Sequence, residues 1–280
     1  MIPISFNYKK ANSVDEAITM INADTKILGG GQSLIPALKL RFNSVETLID
    51  ISSIAGIQSI SNNEKSISIG GGATHASIAA NSDLASHIPM MTEAALTIGD
   101  RQVRNRGTIG GSMAHADPAA DWPAALLVTD CNVIIKGAGG QREVDIDQFF
   151  TGFYETALGE GEIITGIRIP KNGINANSVY EKFKQPASRF AIVGIAAGAE
   201  MDGNRVKNIR IGVTGLSEFA YRAMAVEKAL VGKELNEANI DAAVGAIADG
   251  VAVMGDHYAS EKYRTHLAKV YTKKALMRLG

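Results

Sequence analysis

The chain has 280 residues, of which 46% are hydrophobic, and its 28 basic and 29 acidic side chains give a net charge of −1. This is the composition of a globular protein with one large or two ordinary domains, and the balanced charge does not indicate a nucleic acid or an anionic membrane as partner. The single cysteine, Cys131, excludes an internal disulfide and any cysteine-ligated iron–sulfur cluster or Cys-x-x-Cys zinc site in this chain. No apolar run reaches the length of a signal peptide or a membrane span, so we expect a cytoplasmic protein without a membrane span.

The first half of the chain alternates short helices and short strands. Ser13 to Glu16 has the spacing of a capping box that opens a helix, and Ser33 is placed to cap the helix that follows a strand at 26–30. The remaining elements predicted here are strands at 47–52 and 161–170, hairpins around Asn62 and over 131–146, and helices opening at Thr74 and covering 87–99 and 119–128.

The second half has a simpler pattern. A polar Gly/Asn stretch at 171–178 is typical of a linker. A hairpin with its turn at 202–204 follows, and then three amphipathic helices at 218–231, 237–249 and 261–278. The sequence therefore predicts an α+β protein with two domains, residues 1–174 and 175–280.

Two glycine loops are the strongest candidates for a binding site. "LGGGQS" at 28–33 lies between a predicted strand and a predicted helix, and "TIGGS" at 108–112 opens another helical stretch. Neither is a G-x-G-x-x-G or a Walker A sequence. Glycines followed by a helix start direct several backbone N–H groups to one place, which suits a pyrophosphate. Two tight turns without a ligand explain the residues about equally well.

Other candidates for chemistry are weaker. The five histidines have no metal-ligand spacing, and His115 with Asp117 forms a possible catalytic dyad that two neighbouring polar side chains explain as well. Cys131 opens an apolar strand and is better explained as a core residue than as a reactive thiol. Asp121 is also suited to be a plain helix N-cap.

Four segments of this sequence resemble those of one known family. "LGGGQSLIPALKLR" and "QVRNRGTIGGSMAHADPAADWP" are similar to the two flavin-binding motifs of the FAD-binding medium subunits of the molybdenum hydroxylases. "YEKFKQPASRFAIV" and "YRTHLAKVYTKKALMR" are similar to the start and the last helix of their C-terminal domain. That family includes carbon monoxide dehydrogenase, xanthine dehydrogenase and aldehyde oxidoreductases.

The resemblance implies a two-part FAD-binding domain of the vanillyl-alcohol-oxidase or PCMH type, then a smaller α+β C-terminal domain, with noncovalent FAD held by both glycine loops from opposite sides. It implies that the first loop donates backbone N–H groups to the pyrophosphate, that Asp121 lies at the polar edge of the flavin, and that Lys184 lies near its ring system. Glycine at 29 and serine at 112 depart from the commoner residues of the family. The cofactor-binding residues implied are Leu28, Gly29, Gly30, Gly31, Gln32, Ser33, Leu34, Ile98, Gly99, Gly107, Thr108, Gly110, Gly111, Ser112, Asp121, Ile164 and Lys184.

The resemblance also implies partner chains. A large subunit would hold molybdopterin, a small subunit would hold two [2Fe–2S] clusters, and the whole would be a dimer of heterotrimers. This chain would then transfer electrons from those clusters through FAD to an external acceptor, for a substrate that is an aldehyde, carbon monoxide or a purine. A surface at 101–106 or 180–189 is expected to face the cluster-bearing subunit. The alternatives are a self-sufficient FAD-dependent oxidase or reductase of the same fold and a nucleotide-binding scaffold without redox chemistry.

Overall fold

The computed structural model describes residues 1–280 and is 34% helical and 28% strand, which confirms the predicted α+β class. Two 3-10 turns, Ile146–Gln148 and Val244–Ala246, complete the regular structure. The strands are β1 Asn7–Lys10, β2 Thr25–Leu28, β3 Thr47–Asp50, β4 Ile60–Asn62, β5 Ser66–Gly70, β6 Asn132–Gly137, β7 Gly140–Asp145, β8 Phe150–Gly152, β9 Glu155–Thr156, β10 Ile163–Pro170, β11 Ser178–Lys184, β12 Ala191–Asp202, β13 Arg205–Thr214 and β14 Tyr221–Arg222. The helices are α1 Val14–Met20, α2 Leu34–Lys39, α3 His75–Ala79, α4 Ser82–His87, α5 Pro89–Thr97, α6 Arg101–Arg106, α7 Ile109–His115, α8 Asp121–Thr129, α9 Gly173–Ala176, α10 Met224–Leu230, α11 Glu237–Ala243 and α12 Glu261–Met277.

The first domain contains two main sheets. A small parallel sheet has the order β1-β3-β2, and an antiparallel sheet has the order β4-β5-β10-β6-β7. The Ser13 hydroxyl accepts from the N–H of Glu16 at 3.0 Å, which confirms the predicted cap of α1. Both predicted hairpins form within the second sheet, as the pairs β4–β5 and β6–β7. Helices α3 to α8 lie in the chain between β5 and β6, and Trp122 of α8 is fully buried among them.

The second domain is a four-stranded antiparallel sheet, β11-β12-β13-β14, covered on both faces. Ile195 and Ala197 of β12 pack in a core with residues of α10, α11 and α12. Ala196, between them, packs in the core of the first domain, which includes Trp122. This alternation is that of a strand buried on both faces. No helix combines the length and the apolar character that a bilayer crossing needs.

The structure corrects three of the predicted elements. The stretch at 171–178 is not an exposed linker, because Asn172 caps the short helix α9 and the fully buried side chain of Asn175 donates to the carbonyl of Thr129 at 3.1 Å. The predicted helix at 218–231 is helical only over α10, since Tyr221 and Arg222 pair with β13 instead. The predicted helix at 237–249 ends at Ala243 and continues as a 3-10 turn. Tertiary pairing therefore decided these boundaries.

Candidate functional site

One large cavity, of about 940 Å³, lies where the parallel sheet, the antiparallel sheet and the start of β12 meet. This volume is within the range of small-molecule and cofactor sites, and its walls are made of residues that are far apart in the chain. The cavity brings together nearly every residue that the sequence predicts to bind cofactor; Lys184 alone does not line it. Those that line it are Leu28, Gly29, Gly30, Gly31, Gln32, Ser33, Leu34, Ile98, Gly99, Gly107, Thr108, Gly110, Gly111, Ser112, Asp121 and Ile164.

The first glycine loop presents a row of free backbone donors. The N–H groups of residues 29–34 donate to no protein acceptor, although their neighbours Ile35 and Ala37 already make helical hydrogen bonds. The predicted cap by Ser33 is wrong, since its hydroxyl makes no capping bond to α2. Six consecutive free donors at the edge of a cavity, leading into the first turn of α2, are suited to an anionic oxygen, which is the strongest acceptor for them.

The second glycine loop differs, because its N–H groups are already used. Ile109 and Gly110 donate to the carbonyls of Ala73 and Gly71, at 3.0 and 2.9 Å. Gly111 donates to the hydroxyl of Thr108 at 3.1 Å, which caps α7. This loop therefore offers a close backbone surface to a ligand and, beyond the N–H of Thr108, no free backbone donors in this stretch.

The two loops contact each other directly. A Cβ atom on Gly30 would overlap the carbonyl oxygen of Arg106 and lie 2.6 Å from the Cα of Gly107. Gly29 faces the hydroxyl of Thr108, which a Cβ atom would meet at 3.2 Å. The loops thus meet in one continuous wall of the cavity. Their glycines are required by backbone packed on backbone as well as by the approach of a ligand.

A third glycine run, at 70–72, completes this wall and was missed by the sequence analysis. Gly71 and Gly72 line the cavity, and the carbonyl of Gly71 receives the N–H of Gly110. A Cβ atom on Gly71 would overlap the carbonyl oxygen of Ile164. The signal was present, since three glycines follow an apolar strand here as they do at 29–31.

His75 follows the glycine run at 70–72 and was not among the residues predicted to bind the cofactor, although it lies close to the motifs in the sequence. It lines the cavity, is 5% exposed, and accepts a hydrogen bond at Nδ1 from the indole N–H of Trp122 at 3.1 Å. Burial lowers the pKa of His75 to about 4, and the positive charge of Arg104 acts in the same direction. The imidazole is therefore neutral at physiological pH.

Asp121 also lines the cavity and holds a buried ion pair. Its carboxylate accepts from the hydroxyl of Tyr180 at 2.5 Å and from the ammonium group of Lys182 at 2.8 Å, and it makes no capping bond to α8. The side chains of Lys182 and Asp121 are 2% and 4% exposed. Burial raises the pKa of Asp121, while Lys182 and Tyr180 act in the opposite direction.

Lys184 is exposed and lies outside the cavity wall. In a regular strand it would lie on the same face as Lys182, two residues earlier. The register of β11 against β12 shifts between Phe183 and Lys184, so this alternation is broken there. Lys182 is buried instead, paired with Asp121, and it does not line the cavity itself.

Three residues in or next to the cavity wall have a left-handed backbone conformation. Ala116, Tyr154 and Arg189 have φ of 51°, 57° and 62°. The hydroxyl of Tyr154 donates to Asp117 at 3.1 Å, and its ring packs on His115 at 5.1 Å. His115 and Asp117 thus both contact Tyr154 and make no hydrogen bond to each other, so the possible dyad is not formed.

The side chains form neither a metal-binding cluster nor a reactive thiol. No group of three or more His, Cys, Asp or Glu residues is arranged to hold a metal ion. Cys131 is buried, its thiol faces the carbonyl of Leu126 at 3.9 Å, and burial raises its pKa to about 12. It is a core residue, as expected.

Comparison with known families covers nearly the whole chain. Residues 4–172 match the family described as the FAD binding domain in molybdopterin dehydrogenase, and residues 178–279 match the CO dehydrogenase flavoprotein C-terminal domain. The residues that line the cavity lie in the first match, except for residues 188–190, which connect β11 and β12 in the second.

This chain is also similar to individual proteins over nearly their full length. The chain is 35% identical to the glyceraldehyde dehydrogenase medium chain of Sulfolobus acidocaldarius, covering 98% of each chain. It is similar to a structure of carbon monoxide dehydrogenase from Hydrogenophaga pseudoflava that lacks the Mo-pyranopterin moiety, with a TM-score of 0.95, 36% identity and coverage of 99% and 98%. It is also similar to quinoline 2-oxidoreductase from Pseudomonas putida 86, with a TM-score of 0.94, 29% identity and the same coverage.

Proposed function

The chain belongs to the family of FAD-binding medium subunits of the molybdopterin dehydrogenases, and on that premise we propose that it carries electrons from a partner's iron–sulfur clusters to an external acceptor. The observation that carries the proposal is the row of six unpaired N–H groups beside a 940 Å³ cavity. Family membership identifies FAD as the dinucleotide for that cavity. We propose that it is bound noncovalently.

The residues of the wall fit a pyrophosphate. The N–H groups of residues 29–34 would donate to its oxygens, and the free hydroxyl of Ser33 could add one more donor. The second loop and the run at 70–72 would hold the first loop in place. Their glycines would also let the pyrophosphate of the cofactor come close to the protein backbone. Bound FAD supplies the site with a carrier that can take up and release electrons.

At the other end, Asp121 would meet the polar edge of the flavin. Lys182 and Tyr180 fix its two oxygens in orientation and neutralise most of its charge. Both partners come from β11, so the second domain positions a residue of the first domain's cavity. Lys182 does not line the cavity either, so in place of Lys184 we propose it as a residue that acts on the flavin end only through Asp121, by holding this carboxylate in position.

The chain by itself offers no evident site for a second substrate. Its one cysteine is too few to ligate a cluster, and His115 and Asp117 are not paired as a catalytic dyad. In our proposal the two [2Fe–2S] clusters and the molybdopterin therefore lie on a small and a large partner subunit, assembled as a dimer of heterotrimers. The identity of the oxidised substrate would be decided by the large subunit, which agrees with the different substrates in the names of the relatives.

Reconstitution with partner chains tests this proposal. The purified chain should carry FAD that acid or heat releases intact, and that flavin should not be reduced when an aldehyde, a purine or carbon monoxide is added. Reduction should appear only after the large and small chains are supplied, with all three eluting together in size-exclusion chromatography. If the isolated chain reduces its flavin with one of these substrates, it is a self-sufficient oxidase or reductase and the proposal is wrong.

A further inference from the structure

His75 is fixed in place by two hydrogen bonds to different parts of the site. Its backbone N–H donates to the carbonyl of Gly107 at 2.9 Å, and its side chain receives the indole N–H of Trp122. It is also the first residue of α3, whose N-cap is Thr74. The ring therefore has one orientation, with Nδ1 directed at the core and Nε2 directed away from it.

The hydrogen bond with Trp122 also decides the tautomer. An indole N–H can only donate, so Nδ1 must carry a lone pair. In a neutral imidazole the remaining proton is then on Nε2. His75 thus presents an N–H donor on the side that faces away from Trp122.

That donor has no protein partner, yet it is not sealed in the core. No acceptor lies within hydrogen-bond distance of Nε2, and the unpaired side-chain atoms that are closed off from solvent are others, Asn175 Oδ1, Arg264 Nε and Thr272 Oγ1. His75 lines the cavity and its Nε2 is not among the sealed atoms, so we assign the open side of Nε2 to the cavity. Glycine at 107 keeps this opening, because a Cβ atom there would lie 2.7 Å from Nε2.

The free N–H groups of residues 29–34, here called the anion cradle, line the same cavity as His75. Gly107 separates His75 from Gly30, whose Cβ atom would lie 2.6 Å from the Cα of Gly107. His75 and the anion cradle thus line this cavity on either side of Gly107. A phosphate oxygen in the anion cradle would be the nearest strong acceptor for the Nε2–H group of His75.

We propose that His75 is a further cofactor-binding residue, in which the neutral imidazole donates its Nε2–H to a pyrophosphate oxygen of bound FAD. The inference rests on the proposed binding of FAD in this cavity. It assigns Trp122 as a positioning residue, which keeps the proton on Nε2 by occupying Nδ1. It also gives a reason for glycine at 107 beyond backbone packing.

Two substitutions separate the cavity donor from the core contact. An asparagine reaches only to the position of Nδ1, so His75→Asn keeps an acceptor for Trp122 and loses the donor in the cavity. A glutamine reaches to the position of Nε2, so His75→Gln keeps a donor there. We expect His75→Asn to weaken FAD binding by about tenfold and His75→Gln by less than about threefold.

The affinities of the FAD-depleted wild type and of both variants are measured by titration. Flavin fluorescence follows the binding of FAD, and calorimetry follows the binding of ADP. ADP carries the pyrophosphate without the flavin, so His75→Asn should weaken ADP binding as much as FAD binding. Equal affinities of wild type and His75→Asn, or equal losses in both variants, would overturn the role of His75. A loss for FAD with unchanged ADP binding would overturn the pyrophosphate as acceptor. Failure of the wild type to bind FAD would instead overturn the proposed function.

A measurement on the wild-type chain does not depend on the folding of either variant. In ¹⁵N-labelled protein the imidazole Nε2–H of His75 should give a resonance that shifts downfield when ADP is added. A resonance that does not move while ADP binds would show that Nε2 does not donate to the ligand.

Discussion

At the scale of single residues, the most consequential group is the ion pair of Asp121 and Lys182. Both side chains are almost fully buried, and Tyr180 supplies the second hydrogen bond to the carboxylate. A buried pair of this kind contributes little to stability when it is complete, but loss of one partner leaves an uncompensated charge. The pair therefore explains how a carboxylate that is almost fully buried can lie in the wall of the cavity.

Removing one charge of this pair should cost more than removing both. We expect Lys182→Met to lower the free energy of unfolding by about 3–5 kcal/mol, because Asp121 is then buried without its cation. Adding Asp121→Asn to Lys182→Met should recover at least half of that loss, since the side chain left behind is neutral. Urea denaturation of the three proteins gives the comparison. Equal stabilities of the single and double variants would show that the pair is not coupled in this way.

At the scale of elements, the site depends on two loops that pack backbone against backbone. Gly30 faces backbone atoms of Arg106 and Gly107, which cannot move without shifting the turn before α7. Gly29 faces only the side chain of Thr108, which has some freedom to adjust. Neighbouring glycines in one loop are thus under different constraints.

This difference predicts opposite outcomes for two adjacent substitutions. Gly30→Ala should separate the loops, weaken FAD binding by more than about tenfold and lower the thermal unfolding midpoint by several degrees, on the order of 2–4 °C for each kcal/mol lost. Gly29→Ala should keep both properties close to wild type, because the Cβ atom at 3.2 Å from the Thr108 hydroxyl needs only a small shift. FAD binding is checked by the amount of FAD bound per chain, and the thermal unfolding midpoint is checked by differential scanning fluorimetry. Similar behaviour of the two variants would mean that the loop contact is not what requires glycine.

At the scale of the whole molecule, the two domains share a core. Ala196 of β12 and Tyr180 of β11 pack with Trp122 and the residues around it. On the surface, Arg278 just after α12 pairs with Glu93 of α5 at 2.5 Å and with Glu181 of β11 at 2.8 Å. The second domain is therefore part of the packing of the first, and its sheet supplies the partners of Asp121.

We expect the domains to unfold together. Trp122 is the only tryptophan and lies in the first domain, so its fluorescence reports on that core alone, whereas far-ultraviolet circular dichroism reports on both domains. Because the interface is part of one hydrophobic core, the two signals should have the same thermal midpoint. Two separate transitions would indicate that each domain is stable without the other.

Several features of this protein were readable from short stretches of sequence. The capping box at Ser13, the hairpins at Asn62 and 131–146, the α+β class and the glycine loops depend on neighbouring residues, whose spacing is visible in the chain. The resemblance of the four segments added the family, which the comparisons confirm. Local patterns of this kind carry turn, cap and strand information because the interactions behind them span only a few residues.

Only the tertiary structure decided which groups of the site are free to act. The two glycine loops are alike in sequence. In the second loop, Ile109 and Gly110 donate to the carbonyls of Ala73 and Gly71 and Gly111 donates to the Thr108 hydroxyl, whereas the N–H groups of the first loop have no protein acceptor. The buried position of Lys182 and the exposed one of Lys184 follow from a register shift against a strand that comes later in the chain. His75 became part of the site because Trp122, 47 residues away, occupies one side of its ring. Pairing between distant segments determines which donors remain unpaired, and the sequence alone does not show that pairing.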